Sequence, residues 1–376
     1  MQDSSGLRRA VVCVAAGKSQ IIVIRKVKEL GLAALAVDRN SHAPGFRLAD
    51  ERIVLSTYEP KPIIARLRSL QGTYRIVGLV NRSSGPPVVT SAEICQSLGL
   101  PGVPPDSARL IVDKSQLLAT CAAQGIPVPT CQSAWSLDQI SGPRLQYPCV
   151  IKPALSLVGK SGVRVVRDAA ALPDAFAAAH RVGMNGLVNI EEFLPGHDVS
   201  LMAVVQERRL YPITLLDELN ATDTTGDVCG VGFAVPSVFS GQPEEARIIG
   251  LAQQVVDIFE LGTTALNMSC RCEVGGQPRL VEIHLDLGGD LILDALMPAS
   301  TSFDVLGFVI RALMGEQVTV PQIAFGPAAV LFGAGEGLVS ERAYDLVTAV
   351  DRAALEHILS SRLNEKHVKG PLFGLQ

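Results

Sequence analysis

Residues 147–166 read YPCVIKPALSLVGKSGVRVV. An apolar strand pattern ends near Lys152. A Gly/Ser-containing loop with Gly159, Lys160, Ser161 and Gly162 follows, and then a second short strand pattern. A lysine beside backbone amides that can close over a ligand offers a polyphosphate both a point charge and N–H donors. Strand–glycine loop–strand is common, so this stretch acquires meaning only from its neighbours. Helical periodicity follows in PDAFAAAHRV (173–182), and a strand pattern in LVNIEEFL (187–194). Together they predict a small α+β module over about 146–195.

Upstream, RAVVCVAA (9–16) is a short apolar run, QIIVIRKVKEL (20–30) is helical in period, and LAALAVDRN (32–40) is a second buried strand ending at Asp38. ERIVLS (51–56), PIIARLRSL (62–70) and RIVGLV (75–80) continue the alternation of strand and helix. That alternation predicts a doubly wound parallel sheet, with AAGKSQ (15–20) at the carboxyl end of its first strand, where such sheets bind ligands. LGLPGVPPDSAR (98–109) is dense in Pro and Gly and reads as a linker; DKSQLLATCAAQ (113–124) reads as a helix broken by GIPVP.

Downstream, EEFLPGHD (191–198) is a carboxylate-rich strand end running into a turn. It can offer backbone groups to an adenine edge, with Asp198 for ribose hydroxyls; its plainer reading is an ordinary acidic turn. VSLMAVVQ and RLYPITLL read as strands, NATDTTGDVCG (220–230) as a polar loop, and EEARIIGLAQQVVDIFEL (244–261) as a helix. NMSCRCEV–GGQP–RLVEIHL (267–285) reads as a β-hairpin. Alternation puts Glu282, His284 and Asp286 on one face. Centring the turn on Gly276 predicts Arg271 opposite Glu282 and Ser269 opposite His284. That face also carries Glu273. Clustered carboxylates need a cation, and oxygen ligands suit Mg²⁺; a solvated face of internal ion pairs is the plainer alternative. LGGD (287–290) then leads towards a helix start.

The 376 residues fit two or three domains at roughly 150 each. With 48% hydrophobic and 19% charged residues, the chain can build sizeable cores and is not mainly disordered. A formal charge of −4 without a basic patch leaves no electrostatic source for nucleic-acid binding. Mean hydropathy is +0.30, yet no apolar run reaches the ~18–20 residues of a spanning helix, so no membrane partner is expected. The eight cysteines form no CxxC pair and suit free thiols in a reducing compartment. MQDSSGLRR lacks a signal-peptide core, and the expected location is cytoplasmic.

In order and spacing, AAGKSQ…AVDRN, LGLPGVPP, DKSQLLATCAAQGIPVP, YPCVIKPA with its glycine loop, EEFLPGHD and VEIH-x-x-LGGD resemble the ATP-grasp superfamily, especially its carbamoyl-phosphate-synthetase-like ligases. The resemblance runs from about residue 10 to about 315. It implies an α/β fold with an α+β lid: an N-terminal doubly wound parallel-sheet domain (1–108), a central region (109–195) containing the lid, and a C-terminal metal-carrying domain (196–376). It further implies that Lys114 and Lys152 contact ATP phosphates, with Lys152 also near the adenine. The loop with Ser156, Gly159, Lys160, Ser161 and Gly162 would close over the phosphates. Glu191, Glu192, Phe193 and Leu194 would line the adenine hinge, and Asp198 would take the ribose. Glu282 occupies the magnesium-binding glutamate of the family's E-x-N-x-R motif.

The sequence departs from that motif at His284 and Asp286, which replace its Asn and Arg. The family's other metal carboxylate should lie about a dozen residues before Glu282, where Met268, Ser269 and Cys270 are all poor Mg²⁺ ligands. Either Asp286 or Glu273 fills the gap, or one metal is used, or catalysis is lost. Glu282, His284 and Asp286 are the metal candidates; Arg271, His284 and Asp286 are the catalytic ones, with Arg271 a replacement for the missing Arg. The implied activity is ATP- and Mg²⁺-dependent joining of a carboxylic acid and an amine through an acyl phosphate. No biotin-acceptor or glutaminase domain is recognisable, which favours a stand-alone amino-acid or peptide ligase of specialised metabolism, expected as a homodimer. In 217–240, Asp217, Glu218 and Asp223 are candidates to meet the amine. Arg311 reads as a surface helix residue rather than a substrate ligand. The different-class alternative is a nucleotide-binding protein with a regulatory or scaffold role. A dehydrogenase is a poor third, because AAGKSQ is not GxGxxG.

Overall fold

The computed structural model describes residues 6–140, 145–156, 160–222, 225–289, 291–333 and 343–365. Three sheets organise them. The first is parallel, in the order β3-β2-β1-β4, from β1 (Arg8–Val14), β2 (Ala33–Val37), β3 (Glu51–Ile53) and β4 (Tyr74–Asn81). Helices α1 (Ile21–Glu29), α2 (Pro60–Ser69) and α3 (Pro86–Leu98) connect and cover it. The Val/Ala runs of β1 and β2 are buried along nearly their whole length, as expected for strands covered on both faces. The strand order reverses between β1 and β4, so the crevice at their carboxyl ends is the switch point of the sheet.

The Pro-rich stretch after α3 is not only linker. Gly99 closes α3 in the left-handed conformation, and α4 (Pro105–Val112) begins within the predicted linker. The physical reason is position: Pro104 and Pro105 stand at the helix start, where proline lacks only a donor that would be orphaned anyway. Helix α5 (Lys114–Ala123) follows at once, capped by the Asp113 carboxylate, which accepts from the backbone N–H groups of Ser115 and Gln116 at 2.9 and 3.3 Å.

The second sheet is antiparallel, in the order β5-β8-β6-β7, from β5 (Cys131–Ala134), β6 (Cys149–Pro153), β7 (Arg164–Val166) and β8 (Val188–Glu192). Helix α6 (Leu172–Val182) packs on it. This sheet takes β5 from upstream of residue 146, where the sequence pattern places the start of the module.

The third sheet has seven antiparallel strands in the order β13-β12-β9-β10-β11-β14-β15. They are β9 (His197–Gln206), β10 (Arg209–Thr222), β11 (Val228–Val235), β12 (Thr264–Cys272), β13 (Arg279–His284), β14 (Ala328–Phe332) and β15 (Tyr344–Thr348). The two ends of the polar segment 220–230, expected as a loop, instead extend the β10–β11 ladder, with Asn220 opposite Gly230 and Thr222 opposite Val228. Helices α7 (Pro243–Ile258), α8 (Met297–Ser300), α9 (Val305–Leu313) and α10 (Arg352–Glu365) complete the chain. Nearly every side chain of α9 is buried. It packs against β4 and α1 on one side and β9 and β12 on the other, so one apolar cluster joins the parallel sheet to the large one. Among the described residues no helix is long and apolar enough to cross a membrane.

Gly232 of β11 lies close against the β14 backbone. A Cβ there would lie 2.1 Å from the Val330 carbonyl oxygen of β14. At Gly72, a Cβ would meet nothing within 4 Å. Gly232→Ala is therefore expected to cost about 1–3 kcal/mol in urea unfolding, and Gly72→Ala less than about 0.5. Equal midpoints for the two variants would refute the strand packing described here.

Candidate active site

Strands β6 and β8 place a buried charge pair. Lys152 stands opposite Asn189, two positions along from the Val150–Glu191 pair and so on the same face. Lys152 Nζ lies 2.8 Å from Glu191 Oε2, with the two side chains 6% and 4% exposed. Asn189 Nδ2 donates to Glu191 Oε1 at 3.2 Å, and Ser133 Oγ donates to Asn189 Oδ1 at 2.8 Å. Burying an ion pair is costly unless its remaining polar atoms find partners. Here Lys152 and Asn189 partner both Glu191 oxygens, so the ammonium is held at a defined place on the second sheet.

Glu192 is engaged differently. Arg279 of β13 grips it with two hydrogen bonds of 2.6 and 2.8 Å, and Thr130 N–H donates to it at 3.1 Å. The Arg279 hydrogen bonds outweigh burial and hold its carboxyl at about 2. The Glu191 and Glu192 carboxylates are thus partnered within the protein, while Phe193 and Leu194 follow the last residue of β8.

The large sheet presents a polar row across four strands. Ser200 of β9 pairs with Ser269 of β12, and Ser269 pairs with Glu282 of β13. From β10, Glu218 joins the row: Ser269 Oγ donates to Glu218 Oε1 at 2.6 Å, Ser200 Oγ donates to the same oxygen, and the two hydroxyls lie 2.9 Å apart. Lys160, from the segment between β6 and β7, sits 3.1 Å from Glu218 Oε2. Lys114, the first residue of α5, lies 3.6 Å from Glu282 Oε2, and His284 Nε2 lies 3.5 Å from Glu282 Oε1. Lys114 N–H also donates to the Ala154 carbonyl at 2.9 Å, which ties α5 to the end of β6.

These contacts set the protonation states. Burial disfavours charge at Glu282, but His284, Lys114 and Lys160 overcome it and hold the carboxyl well below its ordinary range. Burial likewise opposes ionisation of Glu218, and Lys160 with the two serine donors reverses the balance. Burial would lower His284; the Glu282 and Asp286 carboxylates raise it instead. Lys160 is also raised, because Glu218, Glu282 and Asp198 together outweigh its desolvation.

The hairpin register differs from the expected one. Glu282 faces Ser269 and His284 faces Asn267, whereas Arg271 faces Arg279. The cause is the turn, which the Arg271–Arg279 pair centres on Gly275, earlier than expected; a bulge between Ser269 and Cys270 then leaves Val281 outside the pairing. Arg271 therefore does not stand opposite Glu282. It pairs across to β9, with Nε 3.2 Å from Asp198 Oδ1, donates from Nη2 to the Gly196 carbonyl at 2.8 Å, and lies over the Phe193 ring at 5.3 Å. Asn220 Nδ2 donates to the other Asp198 oxygen at 3.1 Å. Asp198, Phe193 and Arg271 form one group, next to the Glu218 row.

Asp286 lies just past β13, buried, and lines a cleft with Ser84, Lys114, Ser156, Glu282 and His284. Its carboxylate accepts from Ser84 Oγ and from Gly288 N–H, each at 2.8 Å. Glu273 is exposed in the turn. Of the segment 217–240, Glu218 faces the row, but Asp217 points to the opposite face, bound by Ser237, Val238 N–H and Arg352. Adjacent strand residues must diverge in this way. Asp223 and Gly159 lie outside the described residues. Lys160 (φ 63°) and Gly162 (φ 71°) both take left-handed backbone, and a Cβ on Gly162 would meet Val182 Cγ2 of α6 at 2.5 Å. Arg311 is exposed on α9. Among the described residues no group of three or more His, Cys, Asp and Glu is placed to hold a metal ion unaided.

No protein-family model matches the sequence. An uncharacterized protein of Sinorhizobium fredii is 23% identical over 384 residues, covering 94% of this chain and 73% of that one. A formate-dependent phosphoribosylglycinamide formyltransferase of Wolinella succinogenes is 25% identical over 241 residues, 62% of this chain. The match spans 58% of that relative's length, and 47% of a formyltransferase of the same name from Polaromonas naphthalenivorans. Among solved structures, an N5-carboxyaminoimidazole ribonucleotide synthetase in complex with ADP aligns with TM-score 0.76 at 14% identity over 97% of this chain and 98% of that one. An L-amino acid ligase from Bacillus licheniformis aligns with TM-score 0.70 at 14% identity, over 88% and 81%. The chain has the ATP-grasp fold.

The Arg279–Glu192 contact ties the lid sheet to the large sheet and titrates. Because the folded carboxyl sits at about 2 against an ordinary 4.5, its stabilisation is complete above about 4.5 and drains away as pH falls towards 2. Glu192→Gln should flatten that part of the acid-stability profile, measured as the urea midpoint against pH. An unchanged acid limb would show that the pair contributes nothing to folding.

Proposed function

From the ATP-grasp fold and its cleft, we propose that this chain is an ATP- and Mg²⁺-dependent carboxylate–amine ligase. The observation that carries the reading is the convergence of Lys114, Lys160, Glu282 and His284, from three separate parts of the chain, at one site. The relatives agree with it in kind: one is named for dependence on formate, a carboxylate, and a fold neighbour is named an amino-acid ligase. The ADP complex of another fold neighbour supports a nucleotide in this cleft.

In this reading, Lys152 holds a phosphate oxygen from beneath the lid, and Phe193 and Leu194 meet the adenine. Asp198, steadied by Arg271 and Asn220, accepts from the ribose hydroxyls. A substrate carboxylate oxygen attacks the γ-phosphorus, the bond to the β,γ-bridging oxygen breaks, and ADP leaves. The amine nitrogen then attacks the acyl carbon, the bond to the phosphate oxygen breaks, and an amide and phosphate result. The amine gives up its proton in this step. Such chemistry needs positioning and charge neutralisation more than covalent help from the protein.

Mg²⁺ is commonly held by one or two carboxylates together with phosphate oxygens, and it offsets the phosphate charge. Glu282, kept ionised by its cationic neighbours, fits such a ligand. His284, raised by Glu282 and Asp286, is suited to carry a positive charge near the transferring phosphoryl group, where the family motif has an arginine. Asp286, fixed by Ser84 and Gly288, adds a second negative charge near His284.

Incubation with ATP, Mg²⁺ and mixtures of acids and amines tests the reading directly. A particular acid–amine pair should stimulate ADP release; tight ATP binding with no turnover across a broad library would support a binding protein instead. Glu282→Gln should abolish acid-dependent ADP release, and retained turnover would refute the metal role. Lys152→Ala should weaken ATP binding by about 10-fold or more, since hydrogen bonds to charged groups are worth about 1.5–3 kcal/mol. An unchanged dissociation constant would remove Lys152 from the phosphate site.

A further inference from the structure

The resemblance implies two metal carboxylates, and the residues of this chain do not fit the second. Where it would stand on β12, Ser269 turns its hydroxyl into Glu218 at 2.6 Å. Glu218 does bring a carboxylate to the row, but from β10, and both its oxygens are occupied: Oε1 by Ser200 and Ser269, Oε2 by Lys160 at 3.1 Å. Mg²⁺ demands near-octahedral oxygen geometry and sheds its water reluctantly. Seating it on Glu218 would require expelling an ammonium and turning away two hydroxyl donors.

Lys160 is fixed in that position by the chain around it. Just after it, Val165 N–H donates to the Gly226 carbonyl at 2.8 Å, and Val228 N–H donates to the Val163 carbonyl at 2.9 Å. Arg164 forms two hydrogen bonds with Asp227, at 2.8 and 2.9 Å. Together these contacts fasten the exit of the Lys160 segment to the β10–β11 hairpin, and Glu218 stands on β10.

We propose that Lys160, seated on Glu218, supplies the positive charge that a second divalent ion would otherwise bring, leaving Glu282 to carry a single ion. The inference rests on the ligase reading above and deepens it. An ammonium cannot bridge oxygens as a metal does, but it offsets charge at a fixed point and donates hydrogen bonds to a phosphoryl oxygen. Ser269 is then more than a lost ligand. Its hydroxyl holds the carboxylate that holds the lysine.

Counting bound Mn²⁺ by electron paramagnetic resonance, with the chain saturated by a β,γ-imido analogue of ATP, tests this without turnover. The native chain should bind one Mn²⁺ per nucleotide. Lys160→Met should gain a second ion, and adding Glu218→Gln to that variant should remove it again. Glu218→Gln alone should leave the count at one. Two ions on the native chain, or no second ion on a Lys160→Met chain that still binds the analogue, would overturn the proposal while leaving the ligase reading intact. Failure of the native chain to bind the analogue would bring down the ligase reading and this proposal with it.

Discussion

Three carboxylates, Asp198, Glu218 and Glu282, come together on one face of the large sheet, and their mutual repulsion has to be offset before any further anion can approach. The strands cannot offset it alone, because the row between Glu218 and Glu282 is filled by two serines. Cations must come from elsewhere in the chain. Lys114 arrives at the start of α5, Lys160 from the lid side, and Arg271 from the same sheet one row along. The site therefore exists only when these parts are assembled, and the contacts between them decide whether it works.

Those contacts share one chemistry. The lid sheet is fastened to the large sheet by Arg279 on Glu192 and by Arg164 on Asp227, each with two hydrogen bonds. The parallel sheet is fastened by Arg82, whose buried guanidinium binds Asp294 and the carbonyls of Ser19 and Gly289. A guanidinium fork matches a carboxylate in two directions, so it fixes orientation as well as distance. Beneath these ties, α9 supplies the non-directional part, an apolar helix buried between the parallel and the large sheet.

What the sequence made legible follows from period and order. Alternating strand and helix patterns predict the parallel sheet, and the strand–loop–strand pattern around Lys152 belongs to the antiparallel lid sheet. Residues placed by strand alternation, such as Glu282 beside His284, share a face as expected. Registers were less legible. The turn centres on Gly275, which moves Arg271 away from Glu282, and the bulge between Ser269 and Cys270 shifts the register once more, with nothing local in SCRCEV to announce either. The polar letters of 220–230 hide a ladder, because Asn220–Thr222 and Val228–Gly230 are held by backbone pairing with each other more than by burial. The prolines at 104 and 105 likewise suggest a break when their position makes them a helix start.

Glu218 shows how a site can be read in part while its key member, expected only to meet the amine, is given another role. A motif records residues at fixed spacing along one strand pair, so a carboxylate lost from β12 looks like a gap. A sheet, however, brings four strands to one row, and a carboxylate from any of them can reach the same point. Glu218 does so from some fifty positions upstream of Ser269, and the hydroxyls of Ser200 and Ser269 reveal the connection. The replacement also changes the chemistry. A carboxylate two strands further away is within reach of Lys160, and an ammonium on a tethered chain costs no ion from solution. Under the proposal, the departure from the motif that the chain resembles reads as an exchange of charge carriers between β12 and β10, across β9, with Ser269 as its trace in the sequence.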